Sequence, residues 1–294
     1  MMRPTDMLLA LTTMLIWGFN FVVAKVGLAQ LPPLFFMGLR FAMVAVVLAP
    51  FVRLPAVKLR AVAWLSLSLG LGHFSLMYIG LQGLDAGTAA VVVQSQVPFA
   101  AILAALIFSD YLGWRRTLGM AIAFLGIVCI AGEPRIWANP GPLLLVLGAS
   151  ALWAVANIQI KLMSPIDGLG LSGYLGLFSA PQLLLASAVF EEGQIDALKT
   201  ASWQTWGALF YVSLMVTIVS FVLWYRLLHR YQVNQVMPYT LLVPVLGVIA
   251  GVIVLDEPLS WQMIVGGLLT VVGVGIIVLR RPKLAEPIAT AKTT

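Results

Sequence analysis

Ten times along this chain a window of about twenty apolar residues runs until proline, glycine or charge cuts it off. The windows fall near 7–28, 33–52, 61–82, 87–109 and 114–132, then near 142–162, 170–190, 203–226, 233–255 and 259–280. Hydrocarbon offers no hydrogen bonds, so a segment of that length must satisfy its own backbone as a helix. The breaks are short: Leu31-Pro32-Pro33, Asn139-Pro140-Gly141-Pro142, Asp256-Glu257-Pro258. Only 10% of residues are charged and 61% are hydrophobic, whereas a soluble domain is about a quarter charged. Such a chain cannot cover a globule with polar surface and must dissolve in lipid. The expected fold class is an all-α polytopic membrane protein with ten transmembrane helices.

The windows come in two sets of five. The stretch Val236–Trp261 (VMPYTLLVPVLGVIAGVIVLDEPLSW) repeats the plan of Ala90–Trp114 (AVVVQSQVPFAAILAALIFSDYLGW). Val97-Pro98 matches Val243-Pro244 at an offset of 146, and Asp110, Leu112, Trp114, Gly119 and Gly126 match Glu257, Leu259, Trp261, Gly266 and Gly273 at 147. Trp17 and Lys25 match Trp153 and Lys161 at 136. Five spans is an odd number, so the second copy enters the membrane upside down, a common ground plan of secondary transporters with the substrate held near mid-membrane. The expected repeats are 7–132 and 142–281, followed by a disordered cytoplasmic tail, 282–294. On spans three and eight, Ser66, Gly70, His73 and Met77 map onto Ser213, Thr217, Ser220 and Trp224 at 147, and their spacing keeps each set on one helix face. Such faces suit helix packing or a wet cavity.

Basic residues set the orientation. With the N-terminus inside, the cytoplasmic segments hold Arg3, Arg53, Lys58, Arg60, Arg115, Arg116, Lys161, Arg226, Arg230, Arg280, Arg281, Lys283 and Lys292. The other side holds only Lys25, Arg135 and Lys199, which places both termini in the cytoplasm. The first span reads as a retained helix rather than a cleaved signal peptide. The sequence pI of about 9.7 reflects these loops and predicts no nucleic-acid partner. The single cysteine, Cys129, can form no internal disulfide and reads as a small buried hydrophobe.

Trp17-Gly18-Phe19-Asn20-Phe21-Val22-Val23-Ala24-Lys25, Gly38-Leu39-Arg40-Phe41 and the two Pro/acid/Gly stretches resemble the EamA domain, Leu255-Asp256-Glu257-Pro258-Leu259 most closely. The resemblance covers about residues 8–280 and points to the ten-helix exporter branch of the drug/metabolite transporter superfamily. Within that branch the chain looks most like exporters of cysteine-pathway metabolites and related amino acids. Asp110-Tyr111 departs from the family's usual Glu followed by a basic residue. The resemblance implies export of small metabolites across a bacterial inner membrane by alternating access.

The polar groups within the spans carry the candidate chemistry. All 11 acidic residues lie at span ends, loops or termini. Pumps for cationic drugs commonly need a buried carboxylate that exchanges its proton for the cation, so that class is disfavoured. His73 is the mid-span group that titrates near neutrality; it reads either as a cavity residue contacting substrate or a proton, or as a neutral histidine bonded between helices. Arg40 lies about 10 Å inside the outer end of span two. A substrate carboxylate and helix-end carbonyls are equally good partners for it. Trp17, Asn20, Gln94, Gln96, Trp153 and Asn157 converge near mid-span, where each either bonds across helices or lines a site. Ser220 and Trp224 join them from span eight. Tyr78, Tyr225 and Tyr239 are candidate wall or gate residues, with interfacial anchoring the rival for Tyr78 and Tyr225. Pro98, Pro238 and Pro244 are candidate hinges inside helices. Asp110 and Asp256-Glu257 read as N-caps of spans five and ten.

No P-loop, HExxH, GxSxG or metal-spaced cysteine set occurs, so no enzyme activity, catalytic residue, metal or cofactor is expected. The expected function is export of small polar metabolites, foremost amino acids and close derivatives, by a monomer in the lipid bilayer. The rivals are export of drugs, nucleosides or lipid-linked sugars, and a non-transporting membrane assembly protein.

Overall fold

The computed structural model describes residues 2–48, 50–51, 56–108, 113–163, 168–231 and 233–279. Asp110, Arg53, Arg280, Arg281 and the tail 282–294 lie outside the described residues. The main helices are α1 (Pro4–Leu28), α2 (Pro33–Leu48), α3 (Lys58–Gly83), α4 (Ala86–Ile107), α5 (Trp114–Ala131), α6 (Gly141–Met163), α7 (Gly168–Phe190), α8 (Trp203–Leu228), α9 (Met237–Leu255) and α10 (Trp261–Val278). Among the described residues nine of these are long and apolar enough to cross a membrane, α2 is a shorter apolar helix of 16 residues, and there is no strand. Three short helices that apolar windows cannot reveal, Pro134–Ala138, Gln194–Thr200 and Val233–Val236, fill connections. The outward faces are apolar, with Leu106, Leu185, Ile253 and Leu268 all exposed, as lipid-facing helices require.

Side-chain bonds gather five connections at one end of the bundle. Gln30, after α1, accepts from Ser202 and Thr205, just before and within α8. Lys25 donates to the Leu84 carbonyl between α3 and α4. Glu257, between α9 and α10, accepts from the amides of Ala86 and Gly87. Ser260 donates to Glu133, after α5, and Arg135 beyond it pairs with Glu133 and Asp85. At the opposite end, Asp6 in the first turn of α1 pairs with Arg230 and accepts from the Tyr231 hydroxyl.

Packing between helices is reciprocal. α5 lies along α10, α2 along α7, and α4 against α9. α1 packs on α9 and α8, while α6 packs on α4 and α3. Exchanging the halves before and after Gly141 turns each of these contacts into itself or into another one present. Irregular helix repeats in the same way. A π-helical stretch runs from Ser66 to His73 in α3 and another from Tyr211 to Val219 in α8, while 3-10 turns occur at Val93–Ser95 in α4 and Met237–Leu241 at the head of α9.

The glycines matched at 147 residues meet crosswise, Gly126 against Gly266 and Gly119 against Gly273. A Cβ on Gly126 would stand 2.5 Å from the Gly266 carbonyl oxygen, and one on Gly119 would stand 2.8 Å from that of Gly273. A Cβ on Gly273 would strike the backbone of Ala123. In lipid, where apolar side chains gain little by leaving their surroundings, such backbone contact is a main source of helix association.

Several sequence expectations change. Asp256-Glu257 does not cap α10: Ser260 does, accepting from Met263 N at 3.1 Å. Asp256 instead ends α9 in the left-handed region (φ 52°), which turns Glu257 back toward the first amides of α4. Pro238 is not inside an α-helix but opens the 3-10 turn, where its missing N–H costs nothing. Pro98 and Pro244 do sit in helix just past the two 3-10 turns, and Pro181 is a further proline inside α7. Cys129 is half-buried, and its thiol faces the Gln262 carbonyl across the α5–α10 contact at 3.8 Å.

Gly126→Leu is expected to lower the unfolding midpoint in detergent, since overpacking commonly costs about 1–3 kcal/mol and here meets backbone. Gly207→Ala, where an added Cβ meets nothing within 4 Å, should leave the midpoint unchanged or raise it. Equal midpoints for the Gly126→Leu protein and the wild type would contradict the backbone contact.

Candidate functional site

Polar side chains from both halves meet in the interior around Arg40. The α2 helix buries this residue, leaving it 5% exposed. Its Nη1 donates to the Tyr78 hydroxyl of α3 at 3.2 Å and its Nη2 to Thr217 Oγ1 of α8 at 3.0 Å. The guanidinium carbon lies 4.9 Å from the Phe74 ring centroid and 5.6 Å from that of Phe41, cation–π distances that offset part of the lost hydration. Among the described residues, helix-end carbonyls are therefore not its partners. Tyr78 is likewise no interfacial anchor, being buried at the centre of this group. The Asn20 amide of α1 sits beside the same Tyr78 hydroxyl.

His73 stands next to Phe74 with its ring 4.8 Å from Trp153 of α6. Its Nδ1 lies 2.8 Å from the Ala149 carbonyl oxygen, which can only accept, so the Nδ1 proton is spent on that bond. The bond fixes the ring against α6 and leaves Nε2 as the uncommitted nitrogen.

One helical turn along α8 from Thr217, Ser220 Oγ accepts from Trp17 Nε1 at 2.7 Å. The Trp17 ring lies 5.2 Å from Trp224 and 6.1 Å from Phe221. Tyr239 packs against this second group. Trp224, Trp17 and Ser220 thus form a chain of contacts one turn of α8 from Thr217, and from Thr217 contacts run through Arg40, Tyr78, Phe74 and His73 to Trp153.

The π-helical stretches explain how α3 and α8 deliver these groups. An i→i+5 turn frees backbone carbonyls and rotates the next side chains, and such turns gather at functional sites. Thr217 Oγ1 takes up the Val212 carbonyl five residues back, and His73 closes the stretch in α3. Gly70 allows Ser179 of α7 to pack directly on α3.

The remaining candidates are not joined to this chain of contacts. Asn157 is exposed. Gln94 is buried and Gln96 half-buried on α4, and no hydrogen bond among the described residues ties either to Arg40 or His73. Phe74 joins the site without a sequence signal, because ring-over-guanidinium contact arises between helices. Thr217 was legible as the partner of Gly70 in the repeat. No group of acidic, histidine and cysteine residues able to hold a metal occurs among the described residues.

Two open pockets, of about 640 and 600 Å³, lie at the Lys25 end, one lined by Lys25, Asp85, Ser202 and Glu257 and the other by Gln30, Pro33 and Glu191. Neither is lined by a residue of the Arg40–His73 group.

The EamA-like transporter family model matches this chain twice, over residues 5–132 and 141–279. The chain belongs to the EamA-like transporter family. It is 33% identical over 288 residues to the "Probable amino-acid metabolite efflux pump" of Escherichia coli K12, a match covering 94% of this chain and 95% of that protein. A protein of the same name from Salmonella typhimurium LT2 is also 33% identical, over 284 residues, with 94% and 95% covered. A solved crystal structure with 18% identity superposes at a TM-score of 0.62 over 95% of this chain and 98% of its own, a likeness of fold alone. As a member of this family, the protein is a multi-pass membrane transporter.

Tyr78→Phe removes the acceptor of Arg40 Nη1, and a hydrogen bond to a charged group is worth about 1.5–3 kcal/mol. Its unfolding midpoint should fall clearly, while Tyr239→Phe, whose hydroxyl bonds to nothing among the described residues, should match wild type. Differential scanning fluorimetry in detergent distinguishes the two.

Proposed function

We propose that this protein exports small polar metabolites, chiefly amino acids and close derivatives, across the bacterial inner membrane by alternating access. The observation that carries the reading is the central group itself. Indole, imidazole, amide, hydroxyl and guanidinium groups from α1, α2, α3, α6 and α8 converge in the interior of an otherwise apolar bundle. Full-length similarity to two proteins named for amino-acid metabolite efflux supports the substrate class.

The topology we propose has ten crossings in two inverted halves, 7–132 and 142–281, with both termini cytoplasmic. Five connections at one end, reciprocal packing and repeated irregular turns support the inversion. The distribution of Lys and Arg supports the sidedness. An alkaline phosphatase fused to the C-terminus should then be inactive and a green fluorescent protein fused there should fluoresce.

The halves rock about the central group. The Lys25–Glu257 pair with the Lys25–Leu84 bond ties the outer end, and Asp6–Arg230 with Tyr231 ties the inner end. One set releases while the other holds, so substrate meets one face at a time. A monomer contains every part. His73 Nδ1 is committed to the Ala149 carbonyl, which favours export down the metabolite gradient over the rival of proton coupling through His73, and an imposed pH gradient should then leave the rate unchanged.

Efflux from proteoliposomes loaded with an amino-acid mixture tests the function. Particular amino acids should leave faster than from empty liposomes, and Trp17→Ala or Trp153→Ala should slow them in protein that stays folded. If no amino acid leaves, the substrate assignment fails, and nucleosides, drugs and lipid-linked sugars become the solutes to assay.

A further inference from the structure

The Arg40 guanidinium is a cation enclosed in the bundle without an anion among the described residues. No carboxylate among the described residues pairs with it; its hydrogen bonds go to the hydroxyls of Tyr78 and Thr217, with the Met37 sulfur at 4.0 Å. Those neutral partners, with two aromatic faces, only partly replace the water it lost. Its Nε–H is buried with no acceptor among the described residues. The Oδ1 of Asn20, in the amide beside Tyr78, is buried with no donor. Two unmet polar atoms around one hydroxyl make an arrangement that apolar packing does not reward and a polar guest would complete.

The open edge has a definite shape. Nε and Nη2 of a guanidinium point the same way and match the two oxygens of a carboxylate. In Arg40, Nε is free and Nη2 is held only by the Thr217 hydroxyl. We propose that Arg40 selects the transported molecule by binding its carboxylate on the Nε–Nη2 edge, the carboxylate taking the place of Thr217 Oγ1. The ligand class is a zwitterion or anion with a free carboxylate; the matching amides and decarboxylated amines are rejected. Arg40 stands on α2 and Thr217 on α8, so the exchange removes a bond between the two halves as substrate binds. This rests on the transport reading above.

The test is efflux from proteoliposomes holding the full chain and loaded with leucine and alanine, their amides, and the corresponding decarboxylated amines. Rates are taken above those of empty liposomes. Wild type should prefer acid to amide by about ten- to a hundredfold, the worth of a charge-assisted pair. Arg40→Gln should bring that ratio close to one, and Arg40→Lys, which keeps the charge without the fork, should fall between. The ratio does not depend on how much protein folds, so a purely structural role for Arg40 would leave it unmoved. If Arg40→Gln fails to fold, the wild-type ratio and Arg40→Lys still decide. Amides leaving as fast as acids from wild type, or a wild-type ratio in folded Arg40 variants, would overturn the inference and leave the transport reading standing. Efflux of none of these compounds would instead count against that reading itself.

Discussion

Hydrocarbon gives a polar atom nothing to bond, and the architecture of this protein follows from where its polar atoms find partners. Helix interiors serve themselves, so the difficulty falls on helix ends, irregular turns and buried side chains. Glu257 serves the first amides of α4 and Glu191 those of α2, each from a connection far away in sequence. A carboxylate at a helix N-terminus also meets the positive end of the helix dipole. The same two residues therefore close helix ends and tie distant parts of the chain together.

Inside, the requirement takes another form. The π-helical stretches of α3 and α8 loosen the regular ladder at the depth where polar side chains gather. Their hydroxyls take up carbonyls three to five residues back, as Ser66, Ser213 and Thr217 do. What remains after these bonds is a small set of groups whose partners are incomplete, and Arg40 is foremost among them. A transporter needs such incompleteness: a site fully satisfied by its own protein would have nothing left for a substrate. The end ties at Lys25–Glu257 and Asp6–Arg230 stand on opposite sides of that set, and each joins a buried carboxylate to a more exposed basic residue.

The fold was largely legible from the sequence because its determinants are local. Window length and apolarity mark α1 to α10, and the 147-residue match of Gly119, Gly126, Gly266 and Gly273 marks helices that meet through backbone. The site was legible only in part. Trp17, His73, Trp153 and Ser220 stood out as polar or aromatic groups near mid-span and do come together. Asn157 had the same signal and faces outward, since depth along a helix does not specify azimuth among its neighbours. Glu257 was misassigned because capping read from neighbours in sequence assumes the nearest helix. The left-handed turn at Asp256 sends the carboxylate to a different one.

The sequence by itself determined that this chain is helical, lipid-dissolved and doubled, because hydropathy, helix-breaking residues and repeat offsets are properties of short stretches. It also determined that no carboxylate is available at mid-span, a matter of composition and placement along the chain. Only the tertiary structure decided what Arg40 touches. Its neighbours Tyr78, Phe74 and Thr217 come from α3 and α8, as much as 177 residues away. Their convergence depends on interhelical packing and on the π-helical turns that rotate them inward, and neither leaves a periodic trace in the chain.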